Sequence, residues 1–525
     1  MFPLSITKIA SANYLFLPVF ARLTAIKHNS FEFSLRVLTM SLIIGREPEV
    51  QLLSDLLDSD KAEFLVVYGR RRIGKTFLIS EFFKTKGLYF ELTGANKAPT
   101  KIQLENFISE YTDVFCQGKR DASVKNWFEA FELLRKKIEE KIAELAKGPA
   151  PETKIILFLD ELPWLSTPKS LFLSALEYLW NRHLSRMKQV ILIVCGSAAS
   201  WMIKKIINSR GGLHGRATQQ MHLKPFTLAQ TKIYLESQNI YLSTKDLTDL
   251  YMAIGGVAKY LTYIPRGQST SQIIHTLCFA PMAPLKEEFD RLYHSLFDQA
   301  EIYIKIIRLL AKAPYGISQG DLLEKAGLPS GGSSSEILTS LEQTGFIMKV
   351  PFFNKPQKSA RYRLIDEYSL FYLHWIEKSE TANLSSSDPL YWQKQQARPA
   401  FKTWSGFAFE TLCLKHMSAI KNALGISGVI TRESTYWDET CQIDALIERD
   451  DNAINLCEMK YTQEPLPMTA ALANALQAKK SYFSSLTSGR KTLLNTLVTL
   501  YSPQKNTHFL ASVDCVVLVE SFLKN

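Results

Sequence analysis

The run Gly69-Arg70-Arg71-Arg72-Ile73-Gly74-Lys75-Thr76 constrains this 525-residue chain more than any other feature. It fits the pattern G-x-x-x-x-G-K-[ST], which carries meaning only between a buried strand and a helix. Glu63-Phe64-Leu65-Val66-Val67-Tyr68 is short, apolar and valine-rich, as such a strand should be, and a helix is expected from Lys75 through Phe83. In that setting the glycines let backbone N–H groups curl round phosphates, and the helix N-terminus adds the positive end of its dipole. Lys75 is expected at the β- and γ-phosphates of ATP, and Thr76 is expected to offer its hydroxyl to Mg²⁺.

A hydrolytic site needs a second strand ending in an acid. Lys154-Ile155-Ile156-Leu157-Phe158-Leu159-Asp160-Glu161 supplies it, after a helix stop at Gly148-Pro149-Ala150-Pro151. Asp160 would hold Mg²⁺ and Glu161 would activate the attacking water. A further strand, Val190 to Cys195, runs into Gly196-Ser197, and Ser197 is the candidate for sensing the γ-phosphate. Beyond it come Lys204, Lys205, Arg210, Arg216 and Lys224, with no acid between Ser197 and Thr227. Arg210 or Arg216 is the candidate for stabilising transition-state charge, within one chain or across the interface of a homo-oligomer.

Length alone implies several domains. At 46% apolar and 22% charged residues the chain is neither disordered nor fibrous. The net charge of +11 suits a nucleic-acid partner, but solvated surface lysines give the same number. Seven scattered cysteines without a C-x-x-C pair argue against a zinc site or a disulfide framework and for a reducing cytoplasm. No apolar run reaches the roughly 18 residues of a membrane helix. Residues 1–40 form a faintly signal-like stretch spoiled by Pro18, Arg22 and Lys27, and are expected to be a dispensable extension or to precede a true start at Met40.

Taken with the nucleotide motifs, Ile44-Gly45-Arg46-Glu47, Leu159-Asp160-Glu161-Leu162-Pro163-Trp164-Leu165, Cys195-Gly196-Ser197 and Gly215-Arg216-Ala217-Thr218 resemble the archaeal and bacterial AAA-type ATPases of the STAND-related branch. Gly255 to Leu261 resembles that family's lid signature, with Ala258 where proline is usual. The resemblance implies a multi-domain α/β chain: a P-loop NTPase (AAA-type) domain at 41–225, a helical lid at 226–296, a winged helix and a nuclease-like C-terminal domain.

The residues downstream bear their own reading. Helical spacing over 302–311, a Ser318-capped helix, a third helix over 335–343 and strands over 345–350 and 360–365 predict a winged helix at 297–380. Its hairpin carries Lys349, Lys355, Lys358, Arg361 and Arg363 without an acid, suited to phosphate contacts. Its third helix carries Glu336 and Glu342 instead, which suits DNA poorly. A polar linker is expected at 381–399.

In the last segment, 400–525, Glu410 falls on a helix, Asp444 on one strand, and Glu458 and Lys460 two apart on the returning strand, hence on one face. Three carboxylates and a lysine converging would make a hard oxygen site for Mg²⁺. Asp444, Glu458 and Lys460 are similar to the core pattern of the PD-(D/E)XK nucleases, with Ile443 in place of the usual proline, and imply a restriction-endonuclease-like α/β fold. Two functions from different classes follow. One is an ATP-regulated, Mg²⁺-dependent nuclease acting on DNA. The other is a nucleotide-switched DNA-binding or signalling protein with an inactive nuclease fold.

Overall fold

The computed structural model describes residues 43–119, 123–208, 212–213, 215–356, 359–381 and 388–524. The expectations for the first 40 residues, Arg210 and Lys358 lie outside the described residues. The chain divides into two units at Ile44, and everything below concerns the second, Gly45–Asn525.

Three apolar runs, 63–68, 155–160 and 190–196, are buried almost throughout, as strands in the middle of a parallel sheet are, and they are flanked by a half-buried run at 88–93 and a largely exposed one at 219–222. β1 (Glu63–Tyr68), β2 (Leu88–Thr93), β3 (Ile155–Asp160), β4 (Val190–Gly196) and β5 (Gln219–His222) form an all-parallel sheet in the order β2-β3-β4-β1-β5. β1 leads through the glycine loop into α1 (Lys75–Phe83). Because β4 lies between β1 and β3, the segment after β4 stands between the glycine loop and the acidic end of β3. Ligands of such sheets bind beyond the carboxyl ends of the strands. That is where Lys75, Asp160, Glu161 and Ser197 all sit.

Helices Leu228–Ser237, Thr244–Ile254, Ala258–Leu261, Thr270–Cys278 and Glu288–Leu296 follow, three of them started by Thr227, Ser243 and Ser269 side-chain caps. Next come α2 (Ala300–Ala311), β6 (Ile317–Ser318), α3 (Gln319–Ala326), α4 (Gly332–Gln343), β7 (Ile347–Val350) and β8 (Arg361–Leu364), with a small antiparallel sheet in the order β6-β8-β7. The helix–helix–helix–hairpin order is the one the spacing predicts. Ser318 caps α3 as expected, while α4 begins at Gly332, three residues earlier than read.

The C-terminal segment holds α5 (Pro399–Lys415), β9 (Thr431–Trp437), β10 (Gln442–Arg449), β11 (Ala453–Lys460), α6 (Ala470–Leu486), β12 (Thr492–Thr499) and β13 (Cys515–Leu518). The sheet order is β13-β12-β11-β10-β9; β9, β10 and β11 are antiparallel neighbours, and β11, β12 and β13 run parallel.

One expectation needs correcting. The stretch 381–399 is not simply a polar linker: a helix spans Tyr391–Gln396, and its Trp392 is buried, stacked 5.4 Å from Phe279. Trp392, Phe371 and Phe401 belong to a continuous apolar core that runs from Phe226 to Phe522. The helices between Leu228 and Leu296, the helix–hairpin segment and the C-terminal helices therefore share one interior rather than hanging as beads. A separate core fills the parallel sheet and its helices. Among the described residues no helix is long and apolar enough to cross a membrane.

Candidate functional site: a nucleotide-hydrolysing centre

The loop after β1 is shaped by two glycines. Gly69 has φ +148°, and a Cβ there would stand 2.2 Å from the Leu223 carbonyl oxygen; Gly74 has φ +92° and opens α1. Arg46 braces the loop from behind: its Nη2 donates to the carbonyls of Ile73 (3.3 Å) and Lys224 (2.9 Å), and its guanidinium lies 4.3 Å from the Phe226 ring centre. This bracing role carries no local signal in the sequence, since its partners lie 27 and 178 residues away.

Lys75 is buried, its Nζ donating to the carbonyls of Gly69 and Arg70 (3.0 Å each) and standing 3.5 Å from Ser197 Oγ. Thr76 Oγ1 donates to Asp160 Oδ2 at 2.6 Å. A hydroxyl and a carboxylate in contact below a phosphate loop fit Mg²⁺, which prefers oxygen ligands and retains waters. Bound there, Mg²⁺ would neutralise charge between the β- and γ-phosphates. Asp160 is anchored, its Oδ1 accepting from the Glu161 N–H at 2.9 Å.

Glu161 has φ +46°, a left-handed conformation that a glutamate adopts only when its surroundings enforce it. Both of its oxygens are engaged by Ser197: the hydroxyl donates to Oε1 and the backbone N–H to Oε2 (3.2 Å). Ser197 thus contacts both the loop lysine and the candidate base. In the expected roles, Lys75 would exchange loop carbonyls for phosphate oxygens, and Glu161 would exchange Ser197 for the attacking water.

The side chains of the three loop arginines are turned to other parts of the protein. Arg70 is fully buried in an ion pair with Asp366, beyond β8, and its guanidinium packs 4.8 Å from the Phe346 ring centre. Asp366 also accepts from Ser369 N (2.9 Å) and Oγ (2.6 Å). Burial works against ionising Asp366, but Arg70 outweighs it and holds the carboxyl below the usual range. Arg71 lies 5.7 Å over Trp164, and Arg72 pairs with buried Glu288 of the helix Glu288–Leu296, which also accepts from Tyr260 at 2.9 Å. The Lys259 N–H donates to the Arg72 carbonyl at 3.1 Å. Arg216 is exposed, and among the described residues its side chain contacts none of this site.

The C-terminal residues come close together but do not assemble as expected. A register break between Ile443 and Leu446 in the β9–β10 pairing re-aims the strand at Asp444. Its Oδ2 accepts from Met459 N at 2.9 Å. Burial, then the charges of Glu458 and Glu410, push Asp444 up to about 8. Glu458 is held between Lys460 (2.7 Å) and Lys479 of α6 (2.6 Å), which outweigh burial and keep it ionised. Glu410 Oε1 accepts from Arg363 Nη1 of β8 at 2.6 Å. Each of these two acids is thus turned to a cation of the chain. Among the described residues no three His, Cys, Asp or Glu side chains gather as a metal-binding group, so the expected Mg²⁺ site of Asp444, Glu458 and Glu410 is not formed in this arrangement. The hairpin is corrected with it: Arg361 and Arg363 face inward, so two of the residues read as phosphate contacts are engaged by the protein. Lys479 and Arg363 were missed as members of this cluster, since each lies on a different element from the acid it meets.

The class follows from the first centre: a loop lysine, a Thr–Asp pair and a strand-end glutamate define a nucleotide triphosphatase. The family described as an ATPase domain predominantly from Archaea matches residues 43–264, and a family of archaeal and bacterial proteins of unknown function matches residues 372–475. Residues 43–264 are thus similar to archaeal ATPase domains, and the chain carries an ATP-binding and ATP-hydrolysing P-loop domain. An uncharacterised protein of Methanocaldococcus jannaschii is 24% identical over 418 residues, covering 78% of this chain and 85% of its own. An uncharacterised ATP-binding protein of the same organism is 38% identical over 45 residues, 9% of this chain and 76% of its own. Among solved structures, a Walker-type ATPase of Pyrococcus abyssi aligns with a TM-score of 0.44 at 17% identity, covering 63% of this chain and 96% of that one. The Aeropyrum pernix ORC2 protein with ADPNP and ADP aligns with a TM-score of 0.38 at 17% identity, over 65% and 95%.

Proposed function

We propose that this chain is an ATP-hydrolysing switch whose nucleotide state sets the posture of its helix–hairpin and C-terminal segments, with DNA as the partner it binds. The observation that carries the switch is the buried Arg70–Asp366 pair. It ties the phosphate-binding loop, by its own side chain, to the segment 296 residues downstream that ends the hairpin. Glu367, next in sequence, pairs with Lys415 at 2.5 Å, so the same segment grips α5, the helix that bears Glu410. A change in loop geometry on binding ATP·Mg²⁺ has a short mechanical route to both.

DNA is supported by the net charge of +11 and by the helix–helix–helix–hairpin order. The exposed face of α4 is an unsuitable reader, because Glu336 there is already paired with Lys204 at 3.0 Å. Contact therefore falls to Lys349 and the exposed Lys355 of the hairpin. Arg216, exposed and unengaged by its own site, remains the candidate for acting across an interface with a second copy. Fluorescence polarisation with a labelled duplex tests the coupling. DNA affinity is expected to differ about tenfold or more between the ATP-bound and nucleotide-free chain, a coupling in the usual range. The difference should vanish in Lys75→Ala. Equal affinity in all states would remove DNA as the switched partner.

A second reading is Mg²⁺-dependent cleavage of DNA by the C-terminal segment. It is favoured by one observation: Asp444 is buried beside Glu458 and Glu410, so that burial first and then the charges of the two glutamates push it up to about 8, and a divalent cation would relieve the repulsion. In the present arrangement their carboxylates do not fit such an ion.

A further inference from the structure

The cleft between the hairpin and the C-terminal sheet is closed by four independent contacts. Arg363, 3% exposed, reaches from β8 and neutralises Glu410. Arg361 lies 4.3 Å over the Trp437 ring of β9 while its Nη1 donates to the Gly316 carbonyl at 2.8 Å. Backbone bonds zip the hairpin's tip to the edge of the sheet: Phe353 N donates to the Thr435 carbonyl at 3.0 Å, and Thr435 N to the Pro351 carbonyl at 2.9 Å. Phe353 is buried, its ring centre 4.8 Å from that of Phe483 on α6.

What remains between Arg361, Arg363, Glu410, Trp437 and Asp444 is a cleft of about 10 Å³. That is the space of roughly one water molecule. A hydrated divalent cation needs several times as much, and a phosphodiester more again. The acids are also electrically answered: Arg363 takes Glu410, while Lys460 and Lys479 take Glu458. Asp444 is the one left crowded and pushed towards its protonated form.

We infer that the β7–β8 hairpin is an intramolecular plug, with Arg363 standing in the carboxylate cleft as an internal counter-ion in place of a divalent cation. This rests on the second reading above and adds its regulation. The cleft is closed to metal and to nucleic acid while the hairpin is docked, and it opens when the hairpin lifts from β9. The basic residues of the hairpin are then freed at the same moment as the acids, so a phosphate backbone would meet Arg361 and Arg363 as it enters. A structural role for the hairpin would need packing alone; it would not need a buried guanidinium directed at one acid of a crowded trio.

The test is Mn²⁺ binding to the full-length, nucleotide-free chain, counted by electron paramagnetic resonance. Wild type and Asp444→Asn are expected to bind equal numbers of Mn²⁺, since the cleft is shut in both. Arg363→Ala is expected to bind one more, and Arg363→Ala combined with Asp444→Asn to lose the gain. If Arg363→Ala misfolds by circular dichroism, Phe353→Ala loosens the hairpin without stranding the Glu410 charge and is expected to show the same gain. Folded variants that bind no more Mn²⁺ than wild type would overturn the plug. Plasmid nicking is scored in parallel: a Mn²⁺ gain without nicking upholds the plug and removes the cleavage reading.

Discussion

Glu161→Gln is expected to leave ATP binding intact and to slow turnover by roughly 10²–10⁴-fold, the usual worth of a positioned general base. The geometry separates the two effects. The phosphates would be held by the loop between Gly69 and Thr76 and by Lys75, none of which bonds the Glu161 carboxylate directly. Among the described residues the Glu161 side chain hydrogen-bonds Ser197, and glutamine can keep one of those bonds through its amide oxygen. What glutamine cannot do is take a proton from water. Equilibrium binding of a fluorescent ATP analogue beside single-turnover hydrolysis checks both halves. Unchanged turnover would move the base elsewhere, and lost binding would show that Glu161 shapes the loop.

Asp366→Ala is expected to destabilise the fold by about 3–5 kcal/mol, because removing one partner of a buried pair leaves the other charge unanswered. Arg70 would be that charge. It has no second acid, and two of its nitrogens, Nε and Nη2, already have no hydrogen-bond partner among the described residues. The comparison that isolates burial is Lys204→Ala, which breaks the exposed Lys204–Glu336 pair and should cost within about 1 kcal/mol. Urea denaturation of the two variants beside the wild-type chain checks the contrast. Equal small shifts would mean that Arg70 is not confined as the structure has it.

The nucleotide centre was legible in the sequence because its signals are local. β1 and α1 fall on Glu63–Tyr68 and Lys75–Phe83, as read from an unbroken apolar run followed by the glycine loop. The partners of Arg70, Arg72 and Arg363 were not legible. They lie 296, 216 and 47 residues away, and an arginine destined for a buried acid looks the same as one destined for phosphate. The strands β9 and β12 escaped for another reason. β9 is a half-exposed edge strand with Arg432 and Glu433 at its start, and the core of β12 is interrupted by buried Asn495 and Thr496, which break an apolar pattern. Asn495 is tolerated there because it donates to the Ser512 carbonyl at 2.9 Å, a partner the local sequence does not announce. Asp444, Glu458 and Lys460 were found by spacing, but spacing says only which face they share. Whether acids converge on a metal or turn to Arg363, Lys460 and Lys479 depends on elements that arrive from elsewhere in the chain.

Hydrogen exchange of residues 361–371 in the Glu161→Gln chain, with and without ATP and Mg²⁺, tests most directly whether the phosphate loop commands the distant segment. Exchange reports local opening, so a shift in the Arg70–Asp366 joint appears as altered protection of these amides. Nucleotide is expected to change exchange both at the loop around Lys75 and across 361–371, and Lys75→Ala is expected to abolish both changes. A response confined to the loop, with 361–371 indifferent to ATP, would contradict the switch.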